Sequence, residues 1–135
     1  MKNIVILYHA ECSDGFGGAW AAWKKFGSRA AYIPLYHHNP PPVGLRGKEV
    51  YMIDFTYNEP VVKKLLKENN RVTSIDHHES QESATKLTEK YLYAVDHSGS
   101  VLAWKYFHPG KPTPMLLRYI ENGDLWKFKI PHARD

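Results

Sequence analysis

Apolar residues in this chain fall into short continuous runs separated by amphipathic stretches and turn-forming residues. Ile4-Val5-Ile6-Leu7-Tyr8 fills residues 3–8, Val50-Tyr51-Met52-Ile53 lies within residues 49–55, and Val72 and Ile75 lie within residues 71–76. Short, mostly apolar runs of this kind read as strands buried on both faces. Residues 30–36 also read as extended, and Pro34 predicts an edge or irregular strand, because proline has no N–H to give to a ladder. Residues 90–95 are a short strand candidate. Between strands the period becomes helical. Phe16, Ala19, Trp20, Trp23 and Phe26 fall on one stripe, which predicts a helix over 14–27 with Trp20 and Trp23 at core positions and Gly27 as its stop. Residues 59–69 predict a helix with Pro60 in its first turn and Val61, Leu65 and Leu66 inward. A short helix fits residues 79–89. Two more are predicted over 100–108, with Trp104 inward, and over 114–122, with Asp124 and Trp126 beyond its end. Residues 37–47, with Pro40-Pro41-Pro42 and two glycines, form a loop.

Strands alternating with helices imply βαβ units, hence an α/β class: a Rossmann-like three-layer domain with a largely parallel five-stranded sheet. No repeat, low-complexity segment or linker divides the chain, so residues 1–135 read as one domain. Composition narrows the class. A hydrophobic content of 43% and a charged content of 24% are those of a globular protein. No apolar run approaches the ~20 residues of a membrane span, and the apolar start is too short for a secretion signal. A single cysteine, Cys12, excludes an internal disulfide and fits a cytoplasmic protein. The net charge of +4 fits either ordinary surface variation or an anionic partner such as nucleic acid or polyphosphate.

The polar residues that end the strands carry the chemistry. His9 ends the first, with Asp14 close behind. Asp54 ends the next confident strand, and Asp76-His77-His78 ends the third. One edge of one sheet thereby collects three carboxylates and three imidazoles, at the strand ends where open α/β sheets hold their ligands. Imidazole with carboxylate suits divalent transition metals. Taken singly, each carboxylate has a plainer reading as a helix cap. Gly15, Gly17 and Gly18 either let backbone N–H groups approach phosphate or allow close helix packing. Asp96-His97 reads as a cap for the helix that follows Ser98, His37-His38 as solvated loop, and His108 and His132 as surface.

His9-Ala10-Glu11-Cys12-Ser13-Asp14-Gly15, Asp54, Asp76-His77-His78, the helix start Ser98-Gly99-Ser100 and Asn122-Gly123-Asp124-Leu125-Trp126 together resemble the motifs of the DHH phosphoesterase superfamily, in the branch whose first motif reads His-x-x-Cys-x-Asp-Gly. The resemblance runs from about residue 3 to 130. It implies a metal-dependent phosphoesterase with two divalent ions, manganese first and magnesium or zinc as alternatives. By similarity Asp54 bridges the ions, His9 binds one, and Asp14, His77 and Asp124 bind the other. His78 meets the substrate phosphate, with Gly15 and Ser98 also on the substrate side, and Asp76 orients the histidines. The chain departs from the wider family in having one Asp in the first motif. Cys12 stands near the missing carboxylate as a further candidate ligand, and a thiolate would favour a softer metal. Asn122 likewise replaces an acidic residue. The substrates implied are short oligonucleotides, with linear polyphosphate or a cyclic dinucleotide as alternatives. A domain that binds a phosphorylated ligand or a protein without turnover is the reading from another class. The family's C-terminal substrate-binding domain is not expected within these residues, and a second copy of the chain is a candidate cover for the exposed edge.

Overall fold

The computed structural model describes residues 1–36 and 39–129, with residues 124–129 as helical backbone. In chain order the elements are β1 (Ile4–His9), α1 (Ser13–Phe26), β2 (Ala30–Leu35), β3 (Glu49–Ile53), α2 (Glu59–Glu68), β4 (Arg71–Asp76), α3 (Glu82–Leu87), β5 (Lys90–Tyr93), α4 (Gly99–Phe107) and α5 (Met115–Lys129). The strands form one all-parallel sheet in the order β2-β1-β3-β4-β5. This is a doubly wound α/β fold, as the pattern predicts, with Pro34 on the edge strand β2.

The chain leaves β1 for β2 on one side and returns to β3 on the other. The gap between β1 and β3 is therefore the topological switch point, where such sheets hold their ligands. Tyr8 is in register with Ile53, and Ile53 with Ile75. One residue further along, His9, Asp54 and Asp76 come level with one another.

The core lies on both sheet faces. Ile6, Tyr51, Ile53 and Ile75 pack with α1, α4 and α5 through Ala21, Ala22, Phe26, Leu102, Phe107 and Leu117. Val5, Leu7, Val50, Met52 and Val72 pack with α2 and α3 through Val62, Leu65 and Ala84. Strands covered on both faces explain why their sequences are continuous apolar runs. Among the described residues no helix is long and apolar enough to cross a membrane.

Four helical details differ from expectation. The buried face of α1 is built from Gly15, Gly17, Gly18, Ala19, Ala21, Ala22 and Phe26, whereas Phe16 and Trp23 are 64% and 53% exposed. Small residues face inward because the helix lies close: a Cβ on Gly18 would stand 2.3 Å from the Ile53 side chain. Trp20 is half-buried and stacks on Trp104 at 6.0 Å between ring centroids. In α2 the buried pair is Val62 and Leu65, with Val61 and Leu66 packed beside them. His108 is packed rather than a surface residue, its Nε2 2.9 Å from the Ala21 carbonyl and its ring against Trp104. Finally, α5 runs on to Lys129, so Asp124 sits on helical backbone and not past a helix end.

Candidate metal centre

His9 is the last residue of β1, Asp54 the first beyond β3, and Asp76 the last of β4 with His77 next. Asp54 lies at the centre of the group and is only 2% exposed. Its Oδ1 is 2.9 Å from His77 Nε2, while its Oδ2 is 3.6 Å from His9 Nδ1 and 3.6 Å from Cys12 Sγ. One carboxylate thus turns an oxygen to each of two ligand sets. The backbone makes this possible by an unusual turn: Asp54 has φ of +67°, and Glu11 in the β1–α1 connection has φ of +53°. Such left-handed residues cost on the order of 1–3 kcal/mol each and concentrate at functional sites.

Asp14 reaches the same point from the first turn of α1. Its two oxygens accept the backbone N–H groups of Gly99 and Ser100, each at 2.8 Å, and Oδ2 lies 3.4 Å from His77 Nε2. Asp14 therefore caps α4, whose N-terminal N–H groups and dipole favour a carboxylate. Gly99 is the residue that lets this helix start so near Asp54, since a Cβ there would stand 2.6 Å from Asp54 Oδ1.

Asp76 is fully buried and supports the histidines from behind. Its Oδ1 accepts the His77 N–H at 2.8 Å and lies 2.7 Å from His78 Nδ1. Its Oδ2 accepts from Thr56 Oγ1 at 3.0 Å, and Thr56 is in turn 2.6 Å from Ser74 Oγ and 2.9 Å from Thr85 Oγ1. A buried carboxylate satisfied on both oxygens is stable in place and can hold ligands steady. The ring of His78, which is partly exposed, stands 4.4 Å from that of His77.

The protonation pattern follows from this geometry. Burial, with the neighbouring Asp54 charge, pushes the Asp14 carboxyl up to about 6 against the opposing pull of the Ser100 N–H. Burial alone would also raise Asp54, but hydrogen bonds from His77, His9 and Asp14 overcome it and hold Asp54 well below the usual carboxylate range. The hydrogen bond to Asp54 raises His9, and that to Asp76 raises His78. Burial raises the Cys12 thiol. Without metal, the site is a cluster of acids and bases sharing protons, and cations would displace those protons on binding.

The donors fit divalent ions. Ligands on adjacent corners of an octahedron with ~2.1 Å bonds stand about 3.0 Å apart. The separations of 2.9 Å and 3.4 Å around His77 Nε2 match that spacing. Two groups close enough to share an ion stand out among the described residues: Asp54 with Asp76, His77 and His78, and His9 with Cys12 and Asp54.

The structure thus brings together His9, Cys12, Asp14, Asp54, Asp76, His77 and His78. The side chain of Asp124, and all of His37, His38 and His132, lie outside the described residues. Ser98, expected on the substrate side, is fully buried, and its Oγ caps α4 through the Val101 N–H. Ser98, rather than Asp96 or His97, is the cap. Gly15 has a packing role, because a Cβ there would stand 2.2 Å from the His9 carbonyl oxygen. Sequence reasoning passed over Thr56, Ser74 and Thr85. It also passed over Glu121 on α5, whose Oε2 accepts the Ser98 N–H at 2.8 Å and lies 3.0 Å from His97 Nδ1. Ser74 alone had a local signal, a hydroxyl inside a buried strand. A groove lined by Lys25, Glu89, Lys90 and Tyr91 opens toward the other end of the sheet and holds none of these ligands.

No protein-family model matches the chain. It is 32% identical over 148 aligned residues to an uncharacterized protein of Acanthamoeba polyphaga mimivirus, covering 97% of this chain and 35% of that protein. An uncharacterized protein from Helicobacter pylori G27, known from its crystal structure, superposes with a TM-score of 0.70 at 12% identity, over 96% of this chain and 44% of that one. The second match bears on the fold alone. The chain spans about a third of the length of the viral relative and under half of the structural neighbour.

Proposed function

We propose that this chain forms the catalytic α/β domain of a DHH-type phosphoesterase, which hydrolyses phosphodiester bonds of short oligonucleotides with two divalent ions, manganese first. The observation that carries this reading is Asp54, with one oxygen toward His77 and the other toward His9 and Cys12. A carboxylate placed this way suits a bridge between two ions.

When bound, such a pair supplies Lewis acidity to the phosphate and a water acidic enough to attack phosphorus. The chain's own residues do the rest. Asp54, Asp14 and His77 would hold one ion, and His9 with Asp54 the other. Asp14 also fixes α4 against the site. Asp76 holds His78 by Nδ1, which leaves Nε2 to meet a phosphate oxygen. Asp76 raises the pKa of His78, which favours the protonated ring, and in that form Nε2–H would stand ready for the departing oxygen. Linear polyphosphate and cyclic dinucleotides present the same phosphate chemistry and are the alternative substrates.

Hydrolysis of a dinucleotide, a short RNA and polyphosphate, each with Mn²⁺ and with a chelator, tests the proposal. Metal-dependent turnover of the dinucleotide and the RNA is expected. Failure to cleave any of the three overturns it and leaves a domain that binds phosphorylated ligands without chemistry, whereas full turnover by Asp54→Ala overturns the two-ion site built on Asp54.

A further inference from the structure

Resting on the binuclear reading above, we propose that the two sides of Asp54 take different metals: a hard ion, manganese or magnesium, between Asp14 and His77, and a thiophilic ion, zinc first, held by His9, Cys12 and Asp54. The donors differ in kind. One side offers two carboxylates with one imidazole, an oxygen-rich set that accepts manganese, whereas the other adds sulfur, which favours zinc further over manganese.

Spacing differs in the same sense. Across a tetrahedral centre with a ~2.3 Å metal–sulfur bond and a ~2.1 Å metal–oxygen bond, sulfur and oxygen stand about 3.6 Å apart. Cys12 Sγ and Asp54 Oδ2 stand 3.6 Å apart, and His9 Nδ1 lies 3.6 Å from the same oxygen. The His77 side has the tighter separations of 2.9 Å and 3.4 Å. Three protein donors with a fourth position left to water is the usual form of a catalytic zinc site.

Placement of the sulfur adds a further argument. Cys12 occupies the cap position of α1, where the N–H groups of Asp14 and Gly15 approach its sulfur, and its side chain is also directed to Asp54, alongside His9. On binding, the thiol proton leaves to solvent and the sulfur enters as thiolate.

The test loads chelator-treated protein, kept reduced, with two equivalents of Zn²⁺ under a large excess of Mn²⁺, which offsets the intrinsically weaker binding of manganese, and counts both elements after desalting. One manganese and one zinc per chain are expected in the wild type. Cys12→Asp should take two manganese ions, and Cys12→Ser should lose at least about tenfold in zinc affinity. Reconstitution of wild type with Co²⁺ should give a near-ultraviolet thiolate-to-cobalt band that Cys12→Ser lacks, a readout that needs no turnover. Two manganese ions in the wild type without zinc, or no sulfur-to-cobalt band, overturns the mixed centre while leaving the phosphoesterase reading intact. If neither wild type nor Cys12→Asp holds a second ion of any kind, both readings fall.

Discussion

Asp54 concentrates the demands of the site on one side chain. It is buried, ionised, held at a positive φ and shared between His77 on one oxygen and His9 with Cys12 on the other. Asparagine tolerates the same backbone conformation and has nearly the same size, so Asp54→Asn removes the charge and little else. Metal titration should then show a loss of at least about a hundredfold in Mn²⁺ affinity. Unchanged affinity would mean that Asp54 does not join the ions. Thr56 is a second residue whose weight is hidden from composition. Its hydroxyl satisfies Asp76 and joins Ser74 and Thr85 in the interior. Thr56→Val leaves Asp76 Oδ2 without that donor. Denaturant unfolding should find the variant weaker by about 1–3 kcal/mol. A loss near zero would show that the hydroxyl network is dispensable to the fold.

At the scale of elements, α4 depends on partners from both ends of the chain. Asp14 of α1 takes its first N–H groups, and Glu121 of α5 takes the N–H of Ser98 just before it. Glu121 thereby holds the loop that aims the Asp14 cap. Glu121→Ala should destabilise the protein by about 1–3 kcal/mol, through the orphaned Ser98 N–H, and weaken Mn²⁺ binding, whereas Glu121→Gln keeps an acceptor and should recover most of both. Wild-type metal affinity in Glu121→Ala would sever this chain of contacts from the site. The same elements separate what the sequence makes legible from what it does not. Fully buried parallel strands write themselves as continuous apolar runs, and the candidate ligands follow at their C-terminal ends, so the order of residues alone puts His9, Asp54 and Asp76-His77 at one edge. It does not reveal the buried face of α1, because close packing selects glycine and alanine there and turns Phe16 and Trp23 outward. Glu121 is illegible for another reason: its partners lie 23 and 24 residues away and nothing local marks it.

For the whole molecule, the protons stored at the site couple stability to pH, and metal should invert the coupling. Asp14 titrates at about 6 in the folded protein against 3.8 in the unfolded chain. Its contribution is therefore full below about pH 4 and is lost as pH rises through 6, a difference on the order of 3 kcal/mol. His9 and His78, both raised above 6.5, act in the same direction: they stabilise the fold below their unfolded value and cease to do so as pH rises through the folded one. Asp54 acts oppositely. Being lowered, it stabilises above the unfolded carboxylate range, and that is lost only in strong acid. Metal-free protein should thus melt at a higher temperature near pH 5 than near pH 8. Ions should reverse the order, because Asp14 and His9 must give up their protons to ligate, so binding strengthens as pH rises. At a free ion concentration of 100 times Kd the gain is about 2.7 kcal/mol. Thermal melts at pH 5 and pH 8, each with Mn²⁺ and with a chelator, make the comparison. The expected result is a large Mn²⁺ shift at pH 8 and a small one at pH 5. Equal shifts at both, or a metal-free protein that is more stable at pH 8, would show that Asp14 does not carry the proton that metal displaces.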